Sequence, residues 1–276
     1  MPELPEVQTV VNDLIAAKLV GEKILAVEIR WPKIIATPRE EKFTAEIQNR
    51  TISVISRRGK FIVFDLKPAK FLLIHLRMSG RLFLSETGAP AGKHEHVIFS
   101  LNDDRQLRYH DTRKFGRFWL VDRPEQVIGA LGIEPLSPDF TIAAMTEKLR
   151  GSHRQLKPLL LDQTIIAGLG NIYVDEALWA ARLHPLRLAD SLNDREIQSL
   201  HKSIPQVLRQ GLNNQGTSLG DGKGNFESAS RRRGRNQSDL KVFRRTGQPC
   251  PHCGTPVKRI IVGQRSTHVC PHCQPL

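Results

Sequence analysis

Cysteine is confined to the end of this chain, and its spacing there is restrictive. Cys250 and Cys253 form one CPHC, sixteen residues intervene, and Cys270 and Cys273 form a second. C-x2-C-x16-C-x2-C is the spacing of a four-cysteine zinc ribbon, in which two tight turns each present a pair of thiolates to a tetrahedral Zn2+ ion. The intervening VKRIIV reads as a short strand, so a β-hairpin with too little core to fold alone is expected to close around the metal. Four thiolates leave no open coordination position, which makes the zinc structural rather than catalytic. His252 and His272 are expected as exposed turn residues. Two disulfides are the competing reading, and the absence of a signal-peptide pattern in MPELPEVQTV speaks against them.

The hydrophobic period changes along the remainder of the chain. Val7, Val10, Val11, Leu14, Ile15 and Leu19 recur at helical spacing behind Pro5, which predicts a helix from about Pro5 to Leu19. From about residue 23 to 120, short β-rich runs (ILAVEI, ISVISR, FIVFDL, FLLIHL, HVIFSL, GRFWLV) alternate with Gly, Pro, Asn and Asp clusters, the pattern of a sandwich or barrel-like domain. After Pro138 the β signal fades. TIAAMTEKLR, KPLLLDQTIIAGLGNIYVDEALWAARL and DREIQSLHKSIPQVLRQGL read as successive helices. Gly211 to Arg235 lacks any sustained apolar period and reads as a mobile loop, with its RRRGR run expected to be a solvated basic linker.

The expected class is therefore α+β and multidomain: a helix plus β-sandwich over 1–130, a helical domain over 131–240 with a loop at about 216–235, and the four-cysteine hairpin over 241–276. Lys and Arg number 41 against 28 Asp and Glu, a formal charge of +13. Such an excess steers a protein towards a polyanion and makes binding weaken with salt. No apolar run approaches the roughly 20 residues that span a bilayer. A soluble protein of the reducing cytoplasm, with nucleic acid as its leading partner class and no membrane partner, is the expectation.

Three segments then converge. The opening MPELPEVQTV, the segment GLGNIYVDEALW and the terminal CPHCGTP with GQRSTHVCPHCQ together resemble the formamidopyrimidine-DNA glycosylase family, and RRGKF, HLRMSGRL, KHEHV and DTRKFGRF match as well. The resemblance spans essentially the whole chain. It implies a monomeric base-excision enzyme acting on double-stranded damaged DNA, with glycosylase and abasic-site lyase activities directed at oxidised purines. The middle segment would form a helix-two-turns-helix element.

The resemblance also implies roles. Methionine removal would leave Pro2 as a secondary amine with a pKa near roughly 8, far easier to keep neutral than a lysine. Pro2 would attack the anomeric carbon of the damaged nucleotide and leave an imine, with Glu3 moving protons around the sugar ring. Glu6, in the same motif, reads equally as a first-turn carboxylate on the helix dipole. Lys60 and Arg265 correspond to phosphate-gripping cations that assist β- and δ-elimination. Met78, Arg113 and Phe115 correspond to the side chains that fill the space left by a flipped base. His94, Arg113, Asn171 and Lys157 match DNA-contacting positions.

The sequence departs from the family at two places. Gln8 stands where glutamate is usual, and Gly220, Asp221 and Gly222 replace an Arg-Asp-aromatic stretch of the lid loop. Two rival readings are a relative resembling endonuclease eight, which prefers oxidised pyrimidines but usually has glycine at the position of Leu4, and a non-catalytic zinc-dependent nucleic-acid binder. Pro2, Glu3 and Lys60 together speak against the latter.

Overall fold

The computed structural model describes residues 1–220 and 226–276. It divides into two compact units, Met1–Ala130 with Asn214–Arg235, and Leu131–Asn213 with Asn236–Leu276. In the first unit, α1 (Leu4–Ala16) buries Leu4, Val7, Val10, Val11 and Leu14 along one face. Lys18 takes a left-handed conformation (φ 58°), which ends the helix before the expected Leu19 and folds the Leu19 side chain into the core.

The β-rich runs form β1 (Lys23–Ile29), β2 (Ile35–Thr37), β3 (Arg50–Arg58), β4 (Phe61–Lys67), β5 (Lys70–His75), β6 (Arg81–Glu86), β7 (Glu95–Leu101), β8 (Arg105–His110) and β9 (Arg117–Val121), with α2 (Glu40–Ile47) between β2 and β3. They hydrogen-bond in the order β2-β9-β5-β4-β3-β1-β7-β8-β6. The sheet folds over as a sandwich: Phe118 on β9 stacks edge-on to Tyr109 on β8 at 4.9 Å and lies 6.2 Å from Phe99 on β7. Both halves and α1 share one core. On the outer face, α3 (Glu125–Ile128) contributes Val127 and Ile128 to a smaller cluster around Val63, Leu73 and Val121.

The second unit is helical: α4 (Ile142–Arg150), α5 (Leu156–Leu161), α6 (Asn171–Ala180) and α7 (Asp194–Asn213), followed by the hairpin β10 (Lys258–Val262) and β11 (Arg265–Val269). Thr141 caps α4 by accepting from the Ala144 N–H at 3.1 Å.

The hairpin lies in one compact unit with the helices, and the buried Glu176 on α6 accepts the backbone N–H groups of Lys241, Val242 and Phe243 at 2.8–3.0 Å. Gln274 also donates to the Leu183 carbonyl at 2.8 Å. The stretch 214–235 groups with the sandwich, and its RRRGR run, expected to be a solvated basic linker, is anchored although its arginines are exposed. Arg231 lies 4.4 Å over the Phe83 ring, Arg232 reaches Asp13 at 3.0 Å, and Gly234 is buried. Phe226 is part of the sandwich core. Of the lid departure named above, Asp221 and Gly222 lie outside the described residues.

Candidate functional site

In the first unit, the residues of interest begin at the amino-terminal end of α1. Pro2 and Glu3 are buried, whereas Met1 is 38% exposed. Glu3 caps the helix in a reciprocal box: its carboxylate takes the Glu6 N–H, and Glu6 Oε2 accepts the Glu3 N–H at 2.9 Å. The other oxygen of Glu6 accepts the Thr217 N–H at 2.7 Å. One buried carboxylate thus joins the residue after Pro2 to the start of the 214–220 stretch. Gly216, at φ 84°, packs so tightly there that a Cβ would stand 3.0 Å from Glu6 Cγ and from Phe226.

Asp13, further along α1, holds the other end of that stretch. Its carboxylate accepts from Ser230 N at 3.0 Å, Ser230 Oγ at 2.5 Å and Arg232 at 3.0 Å. Burial pushes its pKa up, but the hydrogen bonds from Ser228, Ser230 and Arg232 outweigh it and hold the carboxyl below its usual range. Ser218 Oγ donates to the Phe226 carbonyl at 2.6 Å and accepts the Gly234 N–H at 2.9 Å, so the two ends are also tied to each other.

Lys60 occupies the turn between β3 and β4, where Gly59 supplies a positive φ of 56°. It is only 5% exposed, unlike an ordinary lysine at a strand start. Arg57 braces the turn, donating to the Gly59 carbonyl at 2.9 Å and to Gln8 Oε1 on α1 at 3.1 Å. His75 lies close by; burial first, then the cations of Arg77 and Lys60, push its pKa down to about 3. Held neutral, it accepts the Arg77 N–H on Nδ1 at 3.0 Å and so fixes the start of the turn that carries Met78.

Met78 and Phe115 are 39% and 47% exposed, large apolar side chains left outside the core. The Arg113 guanidinium lies 4.7 Å over the Phe115 ring. Both turns converge on Asp111, which is fully buried. Its carboxylate accepts from Ser79 Oγ at 2.5 Å and from the backbone N–H groups of Arg113, Phe115 and Gly116 at 2.8–3.1 Å. Tyr109 donates at 3.3 Å. The conformation of the exposed Arg113 and Phe115 is therefore set from beneath. His94 is half-buried, with its ring edge-on to His110 at 5.7 Å.

In the second unit, the four cysteine sulfurs lie within 4.8 Å of one another, with Cys250 to Cys273 at 3.9 Å and Cys253 to Cys270 at 3.5 Å. A tetrahedral zinc about 2.3 Å from each sulfur sets neighbouring sulfurs about 3.8 Å apart, so this donor set fits that ion. His252 and His272 are exposed, as expected of turn residues. Trp179 Nε1 donates to Cys250 Sγ at 3.4 Å from α6. Arg265 is exposed at the start of β11, beside the two-residue turn Gly263–Gln264, whose φ values are both positive.

Lys157 does not occupy the exposed place its expected DNA contact requires. Its side chain is fully buried, and its ammonium donates to Asp175 at 2.5 Å and to the Ser266 carbonyl at 3.1 Å. The other Asp175 oxygen takes His268 N at 2.9 Å and meets His268 Nδ1 at 3.1 Å. Lys157 therefore props β11 from behind. Asn171, the first residue of α6, donates from Nδ2 to the same Ser266 carbonyl at 3.0 Å, and its Oδ1 is buried without a hydrogen-bond partner.

Asp13, Asp111 and Asp175 escaped the sequence reading. A local signal existed only for Asp111, since aspartate after a strand often accepts the N–H two residues on. The partners of Asp13 and the His268 partner of Asp175 are more than 90 residues away in sequence, and Lys157 lies 18 residues before Asp175 on a different helix.

Comparison with known proteins places these features. Residues 1–118 match the formamidopyrimidine-DNA glycosylase N-terminal domain, 131–222 its H2TH domain, and 247–276 the zinc finger found in FPG and IleRS. The chain is 47% identical over 274 residues to the formamidopyrimidine-DNA glycosylase of Protochlamydia amoebophila, covering 99% of both chains. It is 46% identical to that of Herpetosiphon aurantiacus, covering 99% of this chain and all of the other. Among solved structures, the Lactococcus lactis enzyme in complex with an oxidised-pyrimidine DNA superposes with a TM-score of 0.91 at 39% identity, with full coverage of both chains. Its complex with an N7-benzyl-Fapy-dG DNA gives the same values.

Proposed function

Because the chain belongs to the formamidopyrimidine-DNA glycosylase family, we propose that it excises oxidised purines, 8-oxoguanine and formamidopyrimidines, from double-stranded DNA and then cleaves the strand at the abasic site. The observation that carries this reading is the burial of Pro2 and Glu3 at the amino-terminal end of α1. With Met1 removed, the Pro2 amine stands at the positive end of the helix, which disfavours its ammonium form and attracts phosphate.

The neutral amine forms a bond to the anomeric carbon while the glycosidic C–N bond breaks and its electron pair leaves with the base. Loss of the amine's one proton and opening of the sugar ring, with Glu3 delivering a proton to the ring oxygen, give an iminium ion. Its positive charge acidifies the neighbouring sugar position, and successive eliminations release the flanking phosphates. Lys60 and Arg265 hold those phosphates. Met78, Arg113 and Phe115 fill the gap left by the extruded nucleotide, and His94 and Asn171 bind the backbone. When bound, zinc folds the hairpin on which Arg265 sits. The enzyme acts as a monomer in the bacterial cytoplasm.

Borohydride trapping on an 8-oxoguanine duplex tests this. The mature protein should form a covalent adduct and nick the strand, and Pro2→Gly should do neither. Mass analysis of the amino terminus should show that the trapped species lacks Met1. An unchanged adduct yield with Pro2→Gly overturns the assignment. The Lactococcus lactis complex with oxidised-pyrimidine DNA favours a second substrate class, so a thymine glycol duplex belongs in the same experiment.

A further inference from the structure

Trp31 lies at the head of a short 3-10 turn, Pro32–Ile34, and its indole is partly buried against the sandwich core. Two ammonium groups lie over that one ring, Lys114 Nζ at 3.9 Å from its centroid and Lys33 Nζ at 5.7 Å. A single lysine over tryptophan is an ordinary cation–π contact. Two are not, because each repels the other and neither forms an ion pair among the described residues. The Glu28 carboxylate, three residues before Trp31 in sequence, is engaged by Arg30, which also donates to the Gly92 carbonyl at 2.9 Å. The other neighbouring carboxylate, Asp111, is buried beneath its five donors.

The position of Lys114 is imposed. It has a left-handed backbone (φ 57°) between Arg113 and Phe115, a conformation few residues without a glycine-like or amide side chain adopt. Its N–H bonds the Asp111 carbonyl at 3.4 Å, and its neighbours on both sides are fixed by the Asp111 carboxylate. The backbone therefore sends Lys114 to the indole while Arg113 stacks on Phe115. An uncompensated pair of exposed cations, held on a rigid aromatic plate by the same turn that carries Arg113 and Phe115, is complementary to one singly charged anion.

We propose that Trp31, Lys33 and Lys114 form a separate phosphodiester subsite, which grips a backbone phosphate of the duplex beside the gap filled by Met78, Arg113 and Phe115. The inference rests on the DNA-binding reading above. The indole contributes no hydrogen bond; it orients the two ammonium groups and limits their hydration, so that both charges meet the phosphate already arranged. Because these groups touch no base, the subsite raises affinity without selecting sequence or lesion.

The test uses the full-length zinc-loaded protein and a duplex containing tetrahydrofuran, an uncleavable abasic analogue. Lys33→Gln/Lys114→Gln keeps the aliphatic stems on the indole and removes both charges. The slope of log Kd against log salt should fall by about 2, and Kd near physiological salt should rise roughly tenfold. A control pair of exposed lysines, Lys18→Gln/Lys67→Gln, should move the slope by less than half as much. Scission of a preformed abasic site should keep its kcat and raise its KM, with the melting temperature unchanged.

A methylphosphonate scan of both strands should then reveal one position where neutralising the phosphate weakens the wild type but not the double variant. The subsite is overturned if the slope matches the control pair, or if every methylphosphonate costs the two proteins equally. A wild-type protein that does not prefer the lesion duplex over an undamaged one would instead overturn the functional reading on which the subsite depends.

Discussion

The two units each present, on a tight hairpin, one of the cations proposed to hold phosphate, and they support it by different means. Lys60 follows Gly59 (φ 56°) between β3 and β4, in the middle of a nine-stranded sheet with a continuous apolar core. Arg265 follows Gly263 (φ 52°) and Gln264 in a two-stranded sheet whose apolar cluster has Val242, Val257, Cys250 and Cys270 as its buried members. Both turns open on a glycine with positive φ, but the second residue is left-handed only in the zinc hairpin, at Gln264. The first hairpin is held by hydrophobic burial, the second by a metal site on one side and the buried Lys157–Asp175–His268 group on the other. A two-stranded sheet without such devices is marginal in water.

The sharpest way to break the comparison is to remove the metal. Apparent zinc-binding energies in small zinc-finger peptides are about 10–16 kcal/mol, and that energy is folding energy. Strong chelation should leave residues 247–276 open to protease, abolish Arg265-dependent DNA affinity, and leave the melting of the sandwich unit where it was. Re-addition of zinc should restore the hairpin. Equal loss of structure in both units would show that their supports are not independent.

The second support should yield a smaller effect. Lys157→Met leaves Asp175 buried without its cation, a change that typically costs about 3–5 kcal/mol. Urea denaturation followed at the helical unit should show it. Lys157→Met/Asp175→Asn, which neutralises the orphaned carboxylate, should recover at least half of the loss. If Lys157 acted only by touching DNA, the single variant would lose affinity at unchanged stability.

The difference between the hairpins also explains what the sequence disclosed. The zinc hairpin was legible because its support is local: CPHC and its repeat carry ligand type, number and spacing within 24 residues. The strands of the sandwich were legible from alternation, and Met78, Arg113 and Phe115 from their motif segments. The supports of those side chains were not. Asp111 reads as one more turn aspartate until its five donors are seen together, and Lys157 looked like a surface cation because nothing near it in sequence announces Asp175. The RRRGR run read as a solvated linker by composition, whereas Asp13 and Phe83 hold it from distant positions.

On the sandwich side, acid should weaken the support of the Met78 turn through one buried imidazole, an effect that a His75 variant separates from acid loss of zinc in the other unit. His75 has a folded pKa of about 3, against 6.5 in a flexible chain. Its protonation therefore favours unfolding: the stability it confers is complete above about pH 6.5 and is lost as pH falls towards 3. The slope from this one group reaches about 1.4 kcal/mol per pH unit inside that window. In His75→Asn, an amide oxygen can still accept the Arg77 N–H and cannot titrate. From pH 6.5 to 4.5 the wild type should lose stability steadily relative to the variant in urea unfolding. A pH-independent difference would assign His75 a packing role alone.

The smallest expected effect concerns the brace between α1 and the Lys60 turn. Gln8 is a departure from the usual glutamate, and it meets Arg57 Nε at 3.1 Å while its own Nε2 donates to Asn12 at 2.9 Å. Gln8→Glu would turn the Arg57 contact into a charge-assisted one and would require the Asn12 amide to rotate and become the donor. The groups are partly exposed, so solvent screening limits the net gain to about 0.5 kcal/mol. A rise of about 1–2 °C in the melting temperature of the sandwich unit should accompany a scission rate within twofold of wild type. A fall in melting temperature would mean that the Asn12 contact outweighs the brace. A large change in rate at constant stability would instead make Gln8 a positioning residue for Lys60.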